Sequence, residues 1–346
     1  VGILFSVLTA CIPGQIMRIF TADPVLIEKG AVYLRTVSLS FVLTGFTQIY
    51  YGLLKVCDYA GLSSMIGSLA VVLNIALNAV FIFGLVGMPA MGIAGAALAT
   101  VCARIFETIA VIIVVTKYKC PKLGNMLVIK DRQMHKDYWK YTTPLLVNQI
   151  GWGGGVTMYS VIMGHMGSDA TAANSIASIV RTIIASLCWG ISAGVSIIIG
   201  QTLGQNKLEE AKKMGGKFVR LSIWIGAASG LVILLLIPLV LRVITLTPQA
   251  MYYLKFMLCM AAYYIIGNSL NSTIISGIFP AGGDTKFGMI CDVVTLWCFV
   301  VPLGMLAAFV WHAPVLLVAF ILTLDEFVKI PAVYILSLIH IYEPTR

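Results

Sequence analysis

The sequence predicts an all-α membrane protein made of two parallel-repeat six-helix bundles, with the N-terminal lobe lacking its first two helices. Three observations carry that expectation. Of the 346 residues 60% are hydrophobic and only 11% charged, against roughly 25% charged in soluble domains. The apolar residues fall into ten runs long enough to span a bilayer, and the second part of the chain repeats the first at an offset of 224 residues. This composition excludes a disordered chain, a coiled coil, a collagen and a disulfide-stapled secreted module.

A hydrocarbon core about 30 Å thick needs ~20 apolar residues as a helix. The runs that meet this are 1–20, 31–54, 62–86, 92–116, 141–163, 172–200, 217–244, 254–279, 287–310 and 313–337. They are continuous rather than alternating, which favours helices over barrel strands. The run 1–20 has neither a basic leader nor a small-residue cleavage site, so it reads as a span rather than a signal peptide. Gly151, Gly153, Gly154 and Gly155 make the fifth run bendable, and Pro13, Pro238, Pro302 and Pro331 mark kinks in others. The eight cysteines contain no C-x-x-C pair and are expected to be small buried hydrophobes.

Basic residues orient the runs. They concentrate in the loops 117–140 and 204–220, which places those loops in the cytoplasm of a multi-pass plasma-membrane protein. The net charge of +9 is therefore read as setting topology rather than as a nucleic-acid patch, and no nucleic-acid partner is expected.

The repeat is clearest where residues 17–24 meet 241–248, each segment ending in a proline, Pro24 and Pro248. At the same offset Leu34 meets Leu258, Met65 meets Met289, Ile66 meets Ile290 and Leu98 meets Leu322. Six spans fit one period, and an even number returns the chain to the same side. The copies are then parallel, as in transporters whose substrate site lies between two halves. The second copy begins near Lys140, so roughly 80 residues before Val1, enough for two spans, are expected to be missing from a twelve-helix whole. A polypeptide short of those two helices is expected not to transport. The lobes are expected at 1–117 and 141–337, joined by a cytoplasmic linker at 118–140.

The stretch NIALNAVFIFG at Asn74–Gly84, followed by GIAGAALAT at Gly92–Thr100, resembles the fifth and sixth helices of MATE (multidrug and toxic compound extrusion) transporters. GQTLGQ at Gly200–Gln205, with the helix start at 209–213, and AGGDT at Ala281–Thr285 resemble the same family. The resemblance implies secondary antiport: organic, often cationic, drugs leave in exchange for Na⁺ or H⁺ as two six-helix lobes rock. It implies small organic cationic substrates, a lipid bilayer as the surrounding partner, a monomer, no enzyme activity, and no cofactor beyond the coupling ion. Many members carry a coupling Glu in the seventh family helix. The aligned position here is Gln149, whose amide cannot titrate, although its oxygen and that of Asn148 can ligate a hard cation.

Ionisable groups inside a membrane cost several kcal/mol unless paired or wet, so each is a candidate. Arg104 and Glu107 stand at i,i+3 and Asp325 and Lys329 at i,i+4, with Glu326 between. Each cluster can pair within its own helix, and a structural ion pair closing each lobe is preferred over direct ion coupling. Asp292 has no basic neighbour in sequence. It is either a lone desolvated carboxylate suited to proton or Na⁺ coupling, or a solvated one at a helix N-terminus facing the cytoplasm. The cation-coupling candidates are Asp292, Gln149, Asn148 and Asn271, and the substrate-cavity candidates are Gln48, Asn74, Asn78 and Asn268. Asn and Gln also glue membrane helices together. Tyr263, Tyr264, Met163, Met166, Trp189 and Met260 suit either a promiscuous apolar pocket or helix packing.

The rival reading is a flippase for a lipid-linked precursor, which would use Arg104 and Arg181 for phosphate. An intramembrane enzyme would need H-E-x-x-H, G-x-S-x-G or paired acidic motifs, and the sequence carries none of them, nor a P-loop or histidine spacing for a metal. Residues 338–346 resemble translated adapter sequence and are expected to be an artefactual tail.

Overall fold

In the computed structural model, residues 2–20, 24–118 and 132–342 are described. They are divided between two compact units, residues 1–130 and 131–346. Seven described helices are long and apolar enough to cross a membrane.

In the first unit the chain runs through α1 (Gly2–Cys11), α2 (Pro13–Phe20), α3 (Pro24–Val56), α4 (Ala60–Phe83) and α5 (Gly92–Lys117). The run 1–20 is therefore two helices rather than one. Pro13 has no N–H to continue the ladder, and the chain breaks at Ile12. Helix α4 ends at Gly84, whose φ of +72° is the left-handed C-cap, and a Cβ there would sit 2.8 Å from Ala90 N. That tight turn brings α4 against α5, while α3 packs on both α5 and α1. Tyr50, Tyr51, Leu54, Ile66, Val111 and Val115 form the buried cluster between them.

The second unit comprises α6 (Arg132–His165), α7 (Ser168–Gly204), α8 (Leu208–Val243), α9 (Pro248–Asn271), α10 (Thr285–Val294), α11 (Val315–Leu322) and α12 (Asp325–Tyr342). Helix α9 continues through a π-helical segment, Ser272–Ile278, to Ala281. Helix α10 continues through two more, Thr295–Val300 and Leu306–Val310. Pro280 and Pro302 follow the first two segments; a proline crowds the carbonyl four residues back, which a wider turn relieves. Starts are capped as the local sequence dictates. The Thr247 hydroxyl accepts from Ala250 N at 3.1 Å ahead of Pro248, and Asp284 Oδ1 accepts from Phe287 N at 3.2 Å.

Several expectations are corrected. The run 313–337 is also two helices, interrupted at Thr323 and Leu324, so the described residues hold twelve helices where ten runs were read. The expected linker 118–140 is helical from Arg132 onward, and 119–131 lies outside the described residues. Helix α12 runs on to Tyr342, which leaves the expectation of an artefactual tail at 338–346 standing, and residues 343–346 lie outside the described ones. Of the cysteines, Cys188 and Cys291 are buried, whereas Cys11, Cys259 and Cys298 are exposed. Exposed apolar side chains such as Ile183, Leu187, Trp224 and Leu235 suit a lipid surround, where burial of an apolar thiol has no advantage over outward placement.

The repeat reaches the helix boundaries. Pro24 and Pro248 begin α3 and α9 one full offset apart, and the starts of α4 and α10, and of α5 and α11, fall within one residue of it. The contrast lies inside the elements: α3, α4 and α5 are regular, whereas their counterparts carry the π-helical segments and the break before Asp325.

Candidate functional site

The break at Thr323 and Leu324 starts a fresh helix at Asp325, and its first turn sets Glu326 and Lys329 against α9. Gly267 permits this approach, since a Cβ there would lie 2.9 Å from Glu326 Cβ. Glu326 is 1% exposed and gathers donors from a single face of α9. The Tyr264 hydroxyl donates to Oε1 at 3.1 Å, Asn268 Nδ2 to Oε1 at 3.0 Å, and Asn271 Nδ2 to Oε2 at 2.8 Å. Residues 264, 268 and 271 are spaced by four and three, which stacks them on one helical stripe. Lys329 Nζ adds an ion pair to Glu326 Oε2 at 3.1 Å.

The same ammonium lies 2.8 Å from Asp292 Oδ1 on α10. Asp292 is thus neither a lone carboxylate nor a solvated one: its side chain is 12% exposed and its partner comes from 37 residues away. Asn148 Nδ2 on α6 donates to its other oxygen, Oδ2, at 3.1 Å. Lys329 pairs with Glu326 and Asp292 rather than with Asp325, whose Oδ1 has no hydrogen-bond partner. The i,i+4 pairing expected within α12 gives way because a carboxylate on another helix offers a second contact to a buried ammonium.

These groups line a cavity of about 340 Å³ between α6, α7, α9, α10 and α12, entirely within the second unit. Asn148, Gln149, Asn268, Asn271, Asp292, Glu326 and Lys329 supply its polar wall, with Ser192, Ser272 and Ser276. Trp152 and Trp189 form an aromatic wall, their rings edge to face at 5.9 Å. All four cation-coupling candidates therefore meet in one place, together with Asn268. The other three substrate-cavity candidates belong to the first unit and are not among the lining residues. Gln48 is exposed, and Asn78 Nδ2 donates to Asn74 Oδ1 at 3.0 Å along α4.

In the first unit Arg104 Nη1 donates to Glu107 Oε2, the expected pair within α5, and the Tyr51 hydroxyl of α3 donates to Oε1 at 2.7 Å. Tyr51 was missed because nothing in sequence joins it to a residue 56 positions away. Tyr264 was read as pocket lining or packing and not as a hydrogen-bond donor; its place four residues before Asn268 was the available signal. The aromatic and methionine candidates scatter. Trp189 lines the cavity, and Tyr263 stacks on Phe327 at 3.8 Å. Met163 and Met260 line a separate cavity of about 160 Å³ with Tyr159 and Arg181, whose guanidinium lies 4.9 Å from the Tyr264 ring centre. Met166 packs on the core.

An acidic, oxygen-rich chamber buried among helices suits binding of a cation. Its formal charge, from Asp292, Glu326 and Lys329, is one negative unit. Comparison with known proteins adds the following. A family model described as MatE matches residues 1–80 and 144–306. The probable multidrug resistance protein YoeA of Bacillus subtilis is 25% identical over 356 residues, covering 99% of this chain and 73% of its own length. The uncharacterized transporter YisQ of the same organism is 27% identical over 239 residues, covering 68% of this chain and 52% of its own; the match thus spans about half of YisQ. Among solved structures, an outward-facing multidrug resistance MATE family transporter of the MOP superfamily aligns with a TM-score of 0.86 at 16% identity, over 99% of this chain and 76% of that one. A MOP superfamily transporter from Pyrococcus furiosus gives 0.87 at 15% identity, over 100% and 76%. These structural likenesses establish the fold.

Proposed function

Since the chain belongs to the MatE family of multi-pass membrane transporters, we propose that it serves as a secondary active antiporter, exporting small organic cations in exchange for Na⁺ or H⁺ as two lobes rock. The observation that carries this reading is the chamber at Asp292, Glu326 and Lys329, where charge is held inside the membrane and an aromatic wall stands beside it. Charge in that position is costly and is retained where ions are handled. Flat indole faces attract organic cations, and the name of YoeA associates that relative with multidrug resistance.

Exchange requires that cargo and coupling ion bind the two access states with different affinity, each altering the other by the same factor. A carboxylate that gives up Lys329 for a proton or for the organic cation supplies such a difference.

The test is export of a fluorescent organic cation from proteoliposomes containing the protein expressed from its full reading frame, driven by a Na⁺ gradient or a pH gradient. Export that follows one gradient and collapses with the matching ionophore is expected. Asp292→Asn should slow it at least tenfold or remove its ion dependence. Gradient-independent movement would overturn the antiport reading, and movement of a headgroup-labelled lipid would replace it with the flippase. Wild-type rate and unchanged ion dependence in Asp292→Asn would remove Asp292 from the mechanism.

A further inference from the structure

The hydrogen bonds of the chamber are distributed unevenly. Asn268 and Asn271 both turn their nitrogens to Glu326, and Asn148 turns its own to Asp292. An ionised carboxylate only accepts, so each amide must present nitrogen to it, which settles the amide orientation. The three amide oxygens are left facing elsewhere. All three are buried and accept no hydrogen bond, although Asn268 is only 5% exposed and Asn271 only 1%. Buried acceptors are rarely left so. Carboxylate and carboxamide oxygens are the hard donors that a small cation takes.

A cation already stands among them. Lys329 Nζ bridges Asp292 and Glu326, one on α10 and one on its own helix, with 6% of the side chain exposed. We propose that Lys329 is a tethered counter-cation: its ammonium fills the seat between Asp292 and Glu326 and keeps free Na⁺ out, and removing its charge turns the chamber into a Na⁺ site ligated by those two carboxylates.

Three physical points support this. A tethered group competes at an effective concentration that a diffusing ion must match. A Na⁺ ion entering the seat would strand a buried ammonium inside the membrane, which is strongly unfavourable. Without Lys329, Asp292 and Glu326 would face each other with no cation between them. Asp325 beside them adds a third carboxyl, while Arg181 is held on the Tyr264 ring and does not line the chamber. The two indoles would remain as its wall.

The inference rests on reading the chamber as the ion-handling part of the transporter, but its test measures binding to purified protein and can fail or succeed independently of transport. Binding of ²²Na⁺ and thermal unfolding in sodium against choline chloride would be measured for the wild type and for Lys329→Met, Lys329→Arg and the Lys329→Met, Asp292→Asn pair. The wild type and Lys329→Arg should show no saturable Na⁺ binding and the same Tm in both salts. Lys329→Met should bind Na⁺ saturably, with Tm higher by about 3 °C or more in sodium, and the added Asp292→Asn should abolish both effects. If Lys329→Met does not fold, Lys329→Gln, which keeps a donor for the carboxylates, takes its place. A folded neutral variant that binds no Na⁺ would overturn the proposal. So would saturable Na⁺ binding by the wild type that a folded Asp292→Asn variant removes.

Discussion

The two units place a buried glutamate on equivalent helices and treat it differently. In the first, Glu107 sits mid-way along an unbroken α5 and is satisfied by Arg104 one turn away and by Tyr51. Arg104 keeps 32% of its side chain exposed, so the pair reaches outward and behaves as a clasp between α3 and α5. In the second, the matching stretch is cut at Thr323 and Leu324, and Glu326 starts a new helix. Its partners come from α9 and α12, and Lys329 extends the network to α10. The π-helical segments of α9 and α10 lie in the same unit, and such turns recur at functional sites. The comparison teaches that a repeat can keep its helix boundaries while one copy loses regularity, which frees polar groups to surround a chamber.

Glutamate truncation probes that difference most strongly. Glu326→Ala strands the buried Lys329, Asn268 and Asn271 without their shared carboxylate and should destabilise the protein by about 3–5 kcal/mol. Glu107→Ala leaves Arg104, about a third exposed, without its partner but strands no buried amide beside it, and should cost about 1–3 kcal/mol. Thermal unfolding in detergent reads both, and equal losses would break the distinction between clasp and chamber.

Glycine contacts sharpen it further. A Cβ at Gly95 would lie 2.5 Å from Phe81 O, a backbone atom of the neighbouring α4, so Gly95→Ala must push two helices apart. A Cβ at Gly155 would come within 1.8 Å of Leu296 Cδ2, the end of a side chain that can rotate. Despite the shorter contact, Gly155→Ala should cost about 1 kcal/mol and Gly95→Ala about 3 kcal/mol. The reverse order in Tm would show that α6 and α10 pack as rigidly as α4 and α5.

The smallest effect concerns the two tyrosines. Tyr51→Phe removes one of the two partners seen at Glu107, whereas Tyr264→Phe removes one of four at Glu326. Losses of about 1.5 and 0.5 kcal/mol are expected, and a larger loss for Tyr264→Phe would mean that its hydroxyl, or the ring beneath Arg181, organises the second unit.

The reach of the sequence is clearest at particular residues. Arg104 and Glu107 were legible because an i,i+3 pair is local, and the pair forms as expected. Asn271 and Asp292 were singled out as polar groups in apolar runs, and Asn148 and Gln149 through the resemblance to the seventh family helix; all four share one chamber. Their convergence was not legible, and neither was the Lys329 bridge, which gives Asp292 the cation that nothing near it in sequence offers. The break at Thr323 and Leu324 was missed as well, and the one at Ile12 was read only as a kink at Pro13: apolar runs count residues without reporting where the backbone stops being helical.

What the sequence determined by itself is what depends on local chemistry and on the bilayer as solvent: helices rather than strands, their number to within two, the repeat, and the family. The partners of Lys329, the shared amide stripe on α9 and the grouping of five helices around a chamber were decided only by tertiary structure. A buried ion pair joins whichever helices pack together, and along the chain those helices can stand any distance apart.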